Sequence, residues 1–410
     1  MAELRHPRGF GALKGSGDLA PAKLGFIGYG IMGERLLRAA VRHDPAVIAV
    51  TGVWDPSSRA IERLAADLPQ VSRAASSHEL IEASDCVYIA SPPGSHLGHA
   101  KRILERGRAV FCEKPLAVDL AEAREFVSAA EGQKARAAVN FPFASSFAVD
   151  QINAWMQEGV VGEVRSLRIE AAFAAWPRSW QRDAASWLDK RAQGGFTREV
   201  LSHFLFLSRR MFGPLELRKA AVEYPNGDAS ERGIEAVLTA GEVPVRLSGG
   251  VGGTDEDDHN IWCLDGSAGS IRIRDWAMPE RLQGEGNWVA PEGALPADKA
   301  RPLVLTRQLD KVAAMTRGEA HNLATLREAL EVQEIVEAML RQEVGSAAGG
   351  PDASAPTAPQ QAHGERQRHR DAEEARDVMH ADIERVKAEN QGQHHHGLEP
   401  AGRKGDHCIR

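Results

Sequence analysis

The chain has 410 residues, 43% of them hydrophobic and 26% charged, and is long enough for two domains that each bury a core. Its formal net charge of −7 gives no support for a general role in binding nucleic acid or anionic membranes. The apolar runs are shorter than a membrane span and the N-terminus carries no secretory signal, so we expect a cytoplasmic protein.

Residues 22–143 alternate short apolar runs with segments of helical spacing. A leader, residues 1–21, precedes them, and we expect it to be flexible or to result from a start codon placed too early. The apolar runs are "LGFIGY", "VIAVTGVW", "CVYIAS", "RAVFCEKP" and "RAAVNF". Continuous apolar runs joined through helices predict a parallel sheet that is covered on both faces, as in the doubly wound α/β class.

Residues 144–343 have a different pattern, which predicts a second, α+β domain with an antiparallel sheet. A helix, "FAVDQINAWMQEG", is followed by closely spaced strands. The predicted strands are Val164–Phe173, Glu235–Thr239, Val243–Gly250, Asn260–Leu264 and Ser270–Arg274, interrupted by a long helical pattern at Gln193–Phe212. A last helix, "LATLREALEVQEIVEAMLRQE", closes the domain and is placed to pack back on the first one.

Residues 344–410 are rich in Gly, Ala, Pro and Gln, which predicts a disordered tail. Residues 371–389 form at most a weak helix, and the triplet His394–His396 is better explained as a solvated run than as a metal site. Of the four cysteines, Cys86, Cys112 and Cys263 lie in apolar, strand-like contexts, and Cys408 lies in the tail. We therefore expect buried, reduced thiols without disulfides or a thiolate metal site.

Gly28, Gly30 and Gly33 spell G-x-G-x-x-G between a predicted strand and a predicted helix. An acidic residue, Asp55, ends the next strand, about 20 residues on, as the dinucleotide-binding fingerprint requires. The glycines, together with the intervening Tyr29, Ile31 and Met32, are predicted to bind the cofactor, with the helix N-terminus facing phosphate. A glycine turn without a ligand is the alternative.

Asp55 bears on the choice of cofactor. A carboxylate at this position accepts hydrogen bonds from the ribose hydroxyls and repels a 2′-phosphate, which favours NAD(H). Because Ser57, Ser58 and Arg59 follow directly and are suited to holding a phosphate, NADP(H) remains the alternative.

Three further motifs follow in order: "ASPPGSH" (Ala90–His96), "FCEKP" (Phe111–Pro115) and "WLDKRAQGGFTREVLSHFLFL" (Trp187–Leu207). With the glycine motif they resemble the Gfo/Idh/MocA oxidoreductases, the family of glucose–fructose oxidoreductase and inositol dehydrogenase, over residues 22–342. The resemblance implies an N-terminal Rossmann domain and a C-terminal domain with an open-faced sheet. It also implies NAD(P)-dependent oxidation or reduction of a carbinol on a small sugar, cyclitol or polyol, in a homodimer or homotetramer formed through that sheet.

The resemblance also assigns residues. Lys114 matches the lysine that contacts both the substrate hydroxyl and the nicotinamide ribose, and His203 matches the general acid/base. Glu199 stands where the family commonly has aspartate. Further matches are Ser91, Pro92, Pro93 and His96 in the loop beside the nicotinamide, Glu113 before the lysine, and Asn140 at the end of a strand.

Elementary chemistry supports these roles. A histidine with an ordinary pKa near about 6.5 takes up the hydroxyl proton at neutral pH. Lys114 would stabilise the developing alkoxide. Glu199 and His203 are four residues apart, so on a regular α-helix they share a face, and the carboxylate would orient the imidazole or raise its basicity. Without the resemblance, a satisfied buried histidine would be the better explanation for His203.

Other features leave the substrate open. The segment "NFPFASSF" lacks an arginine that many relatives have after the asparagine, and Phe206 replaces a later aspartate. Among the tryptophans Trp176, Trp180 and Trp187, we single out Trp176 and Trp187, with Asn140, as candidate substrate contacts, although core packing explains them as well. The acidic run Asp255–His259 predicts a solvated hairpin loop, and we expect no metal.

The sequence therefore predicts an NAD(P)-dependent dehydrogenase or reductase. Two alternatives stay open: a dinucleotide-binding sensor that has lost turnover, and a lyase or glycosidase that uses bound NAD transiently.

Overall fold

Five parallel strands form the first sheet of the computed structural model, which describes residues 20–225, 227–284 and 286–343. The strands are β1 (Ala22–Ile27), β2 (Ile48–Trp54), β3 (Cys86–Ile89), β4 (Ala109–Cys112) and β5 (Ala137–Val139), in the order β2-β1-β3-β4-β5. The helices of this part are α1 (Ile31–Arg42), α2 (Ser58–Asp67), α3 (Ser77–Ala83), α4 (His96–Glu105) and α5 (Leu120–Gly132). The predicted doubly wound parallel sheet is confirmed.

The strand order places a topological switch at β1, whose neighbours β2 and β3 lie on opposite sides of it. A parallel bridge from Val53 to Arg73 adds a further strand position beyond β2. Open α/β sheets bind ligands beyond the carboxyl ends of the strands at such a switch. The glycine motif directly follows β1, so it lies at this point.

Eight strands form the second sheet, in the order β13-β12-β11-β10-β6-β9-β8-β7. They are β6 (Val164–Phe173), β7 (Leu215–Glu223), β8 (Gly233–Ala240), β9 (Val243–Val251), β10 (His259–Gly266), β11 (Ser270–Arg274), β12 (Met278–Gln283) and β13 (Asn287–Val289). All neighbours are antiparallel except β6 and β9, so the prediction of a mainly antiparallel sheet is confirmed. β7, β12 and β13 were not predicted.

The remaining helices are α6 (Phe147–Gln157), α7 (Ala185–Leu188), α8 (Ser202–Phe212), α9 (Ala297–Arg317) and α10 (Leu326–Leu340). The helix predicted at Gln193–Phe212 begins later than expected, because Gly195 has a φ of +98° in a turn. It starts with a π-helical turn, Thr197–Leu201, that runs into α8. α9 was not predicted, and Pro302 inside it is a residue that argues against a helix.

Two apolar cores cover the two faces of the first sheet. One contains Leu36 and Leu37 of α1 together with Leu309 and Val312 of α9. The other is continuous with the core of the second sheet and includes Leu330 and Val336 of α10. The C-terminal helices therefore complete the packing of the N-terminal sheet.

The predicted buried thiols are found in three strands. Cys86, Cys112 and Cys263 are fully buried and free of disulfides. Burial raises the pKa of Cys86 to about 12 and that of Cys263 to about 11. None of the helices in the described ranges has the length and apolar character needed to cross a membrane. Cys408, the predicted leader over residues 1–19 and the predicted tail, with its weak helix and histidine triplet, lie outside the described residues.

A largely buried ion pair anchors the π-helical turn to α10. Arg198 donates from Nε to Glu337 at 2.6 Å and from a terminal nitrogen at 2.8 Å. The same guanidinium donates to the carbonyls of Arg191 and Gly194. The side chains of Arg198 and Glu337 are only 11% and 18% exposed, so little water screens the pair.

We expect Glu337→Ala to lower the free energy of unfolding by about 3 kcal/mol, because the mutation leaves the Arg198 charge buried without its carboxylate. Glu334→Ala is the matched control on the same helix, since Glu334 pairs with the well-exposed Arg124. That change should cost less than about 1 kcal/mol. Urea unfolding of both variants measures the difference, and equal losses would contradict the anchoring role.

Candidate active site

A cleft of about 1250 Å³ lies along the carboxyl edge of the first sheet, and residues from later parts of the chain, among them Trp180, His203 and Arg301, also line it. Most of the predicted site residues line it. They are Gly28, Tyr29, Gly30, Ile31, Met32, Asp55, Arg59, Ser91, Pro92, Pro93, His96, Glu113, Lys114, Asn140, Trp187, Glu199 and His203. Gly33 and Trp176 are not among the lining residues.

The glycine loop turns from β1 into α1 at the cleft. Gly28 has a φ of +100°, and a Cβ there would lie 2.7 Å from the carbonyl oxygen of Ala90. A Cβ on Gly33 would lie 2.2 Å from the carbonyl oxygen of Gly28, so only a glycine at this position lets α1 pack this closely against the end of β1. Gly30 has no neighbour within 4 Å of a Cβ, and it caps α1 without a side-chain hydrogen bond. The first turn of α1 is thus free to bind phosphate.

Asp55 lies at the end of β2 beside this loop. Its carboxylate accepts hydrogen bonds from the backbone nitrogens of Tyr29, at 2.7 Å, and Ser57, at 2.8 Å. These bonds fix the carboxylate, and each oxygen keeps a lone pair for a further donor. Arg59 is exposed in the first turn of α2, and Arg63 lies over the Tyr29 ring at 5.0 Å. Both a ribose and a phosphate therefore have partners of the right chemistry here.

His96 joins two of the predicted loops. Its Nε2 lies 2.7 Å from the carbonyl oxygen of Ser91, and its Nδ1 lies 2.8 Å from that of Pro115. The side chain is 1% exposed, and burial, followed by the charge of Lys114, lowers its pKa. His96 therefore holds the loop after β3 against the loop that carries Lys114, and both ring nitrogens are already in contact with backbone.

Lys114 and Glu199 form an ion pair across the cleft. The lysine Nζ contacts the Glu199 carboxylate and donates to the Glu199 carbonyl oxygen at 3.0 Å. Their side chains are 7% and 18% exposed. Lys114 follows β4 of the first sheet and Glu199 lies in the π-helical turn, so the pair connects the two sides of the cleft.

The expectation that Glu199 orients His203 is not met. Glu199 pairs with Lys114, and His203 forms no hydrogen bond with it in the described part of the chain. The reason is local. Glu199 lies in the π-helical turn, whose wider spacing removes the i, i+4 alignment of a regular α-helix. Glu199 is therefore a partner of the lysine.

His203 lies in an aromatic environment at the bottom of the cleft. Its ring packs edge-on against Phe141 and Trp276, with centroid separations of 5.4 Å to each. Nδ1 is buried without a hydrogen-bond partner among the described residues, so Nε2 is the nitrogen that a bound molecule can reach. Burial, and then the charges of Lys114 and Arg178, lower the pKa of His203 well below 6.5. The structure thus lowers its basicity, contrary to the expected effect of Glu199.

Asn140 and Glu113 form a buried polar group beneath the lysine. Asn140 Nδ2 donates to Glu113 at 2.6 Å, and its Oδ1 accepts from Gln308 of α9 at 2.6 Å. Glu113 also accepts from the Tyr88 hydroxyl, and burial raises its pKa. Since both ends of the Asn140 amide are already bonded, the group supports the strand ends on which the site is built.

The tryptophans divide between core and cleft. Trp176 is 6% exposed, packs against Phe173 and donates to the carbonyl of Leu188 at 3.4 Å. Trp176 does not line the cleft, so the alternative explanation, core packing, describes its position. Trp187, Trp180 and Trp276 line the cleft, and contact between Trp187 and a substrate stays a prediction.

Sequence reasoning missed Arg178, which is 5% exposed and central to the site. It donates to Gln181 at 2.8 Å and to Asp258, and it lies 3.9 Å from Glu199. Gln181 in turn donates to Glu199 at 3.2 Å. The charges therefore alternate through the site from Asp258 to Arg178, Glu199 and Lys114. No motif signals Arg178, since its charged partners, Asp258 and Glu199, are distant in sequence.

The acidic run Asp255–His259 is the expected connection between two strands, here β9 and β10, but it is not simply solvated. Asp258 pairs with Arg178 and accepts from the Trp276 indole nitrogen at 3.2 Å. Asp257 accepts from the backbone nitrogen of Ser179 at 3.1 Å. The loop therefore braces the segment that carries Arg178.

Residues 22–141 match the family model GFO_IDH_MocA, described as an oxidoreductase family with an NAD-binding Rossmann fold. An uncharacterized oxidoreductase of Streptococcus pneumoniae is 31% identical over 179 residues, which are 42% of this chain and 45% of that protein. The chain therefore spans less than half the length of this curated relative.

Solved structures extend the likeness in fold over most of the described chain. GenD2 from gentamicin A biosynthesis, in complex with NAD, has a TM-score of 0.65 at 20% identity, covering 81% of this chain and 96% of that one. KijD10, a 3-ketoreductase from Actinomadura kijaniata in complex with NADP and TDP-benzene, has a TM-score of 0.65 at 21% identity, covering 79% and 98%. At these identities the likeness shows the fold.

The family match over residues 22–141, with the motifs in the expected order and brought together in one cleft, confirms the resemblance found in the sequence to the Gfo/Idh/MocA oxidoreductases.

Proposed function

We propose that the chain is an NAD(P)-dependent oxidoreductase that transfers a hydride between nicotinamide and a carbinol or carbonyl carbon. The substrate would be a small sugar-, cyclitol- or polyol-like molecule. The observation that carries the proposal is the convergence of Lys114 and His203 on the cleft that the glycine loop opens into. The name of KijD10, a 3-ketoreductase of the same fold, is consistent with this chemistry.

The residues present fit a dinucleotide. The open backbone at Gly30 and the uncapped first turn of α1 suit a diphosphate, and Asp55 suits a ribose. When bound, the nicotinamide supplies or accepts the hydride. We favour NAD(H) because the Asp55 charge opposes a 2′-phosphate, with NADP(H) as the alternative through Arg59.

The chain's own residues handle the proton and the charge on oxygen. Neutral His203 accepts the hydroxyl proton at Nε2 during oxidation and returns it during reduction. The Lys114 ammonium, fixed by Glu199, stabilises negative charge on the same oxygen. Because His203 lies among aromatic rings and Lys114 is almost buried, water has little access to either group.

We further propose that the protein acts in the cytoplasm as a homodimer or homotetramer assembled through the second sheet. Residues of β8 are buried at every second position, so one face of that sheet is left open. The buried, unpaired thiols suit a reducing compartment.

Replacing either Lys114 or His203 by alanine should lower kcat by about 100-fold or more, because each group acts on the reacting oxygen or its proton. NADH binding, followed by fluorescence, should persist in His203→Ala and weaken in Lys114→Ala only by the loss of one ribose contact. Lys101→Ala and His78→Ala are controls at exposed positions outside the cleft and should leave kcat unchanged. If the wild-type protein binds the cofactor but turns over none of a panel of carbonyl compounds, the alternative of a dinucleotide-binding sensor without turnover is favoured instead.

The pH dependence follows from His203. Its pKa is lowered, so the neutral imidazole persists as the pH falls through 6.5. For oxidation, which needs the neutral form, we expect kcat/KM to stay level from pH 8 to about 6 and to fall only at lower pH. Arg178→Gln removes a charge that lowers this pKa and should move the acid limb to higher pH. A wild-type half-point near 6.5 would contradict this assignment.

Asp55→Asn should raise affinity for NADPH relative to NADH by about tenfold, since it removes the charge that opposes the 2′-phosphate while keeping an acceptor. Arg59→Gln should shift the ratio the other way or leave it unchanged. The dissociation constants of NADH and NADPH, measured by calorimetry for each variant and the wild type, give this ratio. If Asp55→Asn leaves the ratio unaltered, Asp55 does not select the cofactor.

A further inference from the structure

Three arginines from separate parts of the chain line the cleft: Arg35 of α1, Arg178 after β6 and Arg301 of α9. Trp180 connects two of them. The Arg35 guanidinium lies 4.1 Å from the centroid of its ring, and that of Arg178 lies 4.5 Å from it. The indole thus holds two cations in place by cation–π contact. We call Arg35, Arg178 and Arg301 the arginine cluster.

The positive charge of the arginine cluster is only partly balanced. Arg178 pairs with Asp258 and lies near Glu199. Within the residues that the structure describes, neither Arg35 nor Arg301 has a carboxylate within ion-pairing distance, although the exposed Asp183 and Glu292 line the same cleft. Burial, then Arg301 and Arg178, lower the pKa of Arg35 to about 10. Guanidinium groups that repel one another in a cleft favour an anionic ligand.

The arginine cluster reaches the reactive end of the cleft. Arg178 is 3.9 Å from the Glu199 carboxylate, which itself contacts Lys114. The glycine loop, by contrast, offers the cofactor diphosphate a site of its own at the first turn of α1. Arg35 lies beyond that turn, and its guanidinium stacks on Trp180, a residue from the other side of the cleft.

We propose that the arginine cluster binds a carboxylate or phosphate on the substrate, so that the enzyme acts on acidic sugars in preference to neutral polyols. This inference rests on the proposed function, since it concerns the same site. Guanidinium groups bind such oxyanions through paired, charge-assisted hydrogen bonds. The anion would be held at a fixed distance from Lys114 and His203, which determines which hydroxyl of the substrate reaches them.

The test uses the full chain saturated with NADH and measures the binding of D-glucuronate, D-glucose 6-phosphate and D-glucose by calorimetry. We expect the two acids to bind at least about tenfold more tightly than glucose, and the comparison between them to show whether carboxylate or phosphate is preferred. Arg35→Gln and Arg301→Gln should each remove most of this preference, while Arg35→Lys should keep part of it. Thermal unfolding of each variant verifies that it is folded.

Arg42→Gln is the matched control, because Arg42 is an exposed residue of the same helix outside the cleft and should change nothing. Glucose binding as tightly as both acids, or no binding by any of the three, would overturn the proposal. It would also be overturned if Arg35→Gln weakened NADH and left the preference for acids intact, because the cluster would then serve the cofactor diphosphate. Preferential binding of the acids without turnover would support the cluster and count against the proposed reaction alone.

Discussion

The ion pair between Lys114 and Glu199 is the interaction on which the site depends. It joins residues 85 positions apart, one on each side of the cleft, and both side chains are mostly buried. A buried charge that loses its partner is costly, so each residue holds the other in place. Arg178 and Gln181 hold Glu199 from the far side. The position of the lysine ammonium is therefore set by contacts in both halves of the cleft.

The same charges explain the state of His203. Lys114 and Arg178 are cations near a ring that aromatic side chains shield from water, and both effects favour the neutral imidazole. Neutral His203 and the fixed ammonium of Lys114 therefore have separate tasks in the proposed reaction. The histidine is prepared to take a proton, and the lysine supplies the positive charge that the histidine lacks.

Local features of the fold and site could be predicted from the sequence. The positions of Gly28 and Gly33 follow from contacts within a single strand–turn–helix unit, where spacing alone carries the geometry. The apolar runs predicted the first sheet for the same reason, because each buried strand is a continuous segment.

Contacts between distant segments could not be predicted in this way. Arg178 and Asp258 are 80 residues apart, and nothing in either segment indicates the other. The spacing of Glu199 and His203 predicts contact only on a regular α-helix, and nothing in the residue types of Thr197–Leu201 signals the π-helical turn that separates them. Trp176 and Trp180 are tryptophans only four residues apart, yet Trp176 is buried in the core and Trp180 lines the cleft. The spacing of the two residues in an irregular segment does not predict which way each side chain points.

The return of α9 and α10 to the first sheet has a consequence for how the chain matures. Leu309 and Val312 belong to one core of that sheet, and Leu330 and Val336 belong to the other. The last strand of the N-terminal sheet ends at Val139, whereas α9 begins only at Ala297, so during synthesis the sheet emerges from the ribosome well before these helices. Until then the part of each apolar face that α9 and α10 cover is exposed, which makes the nascent N-terminal half prone to aggregate while the second sheet is being made.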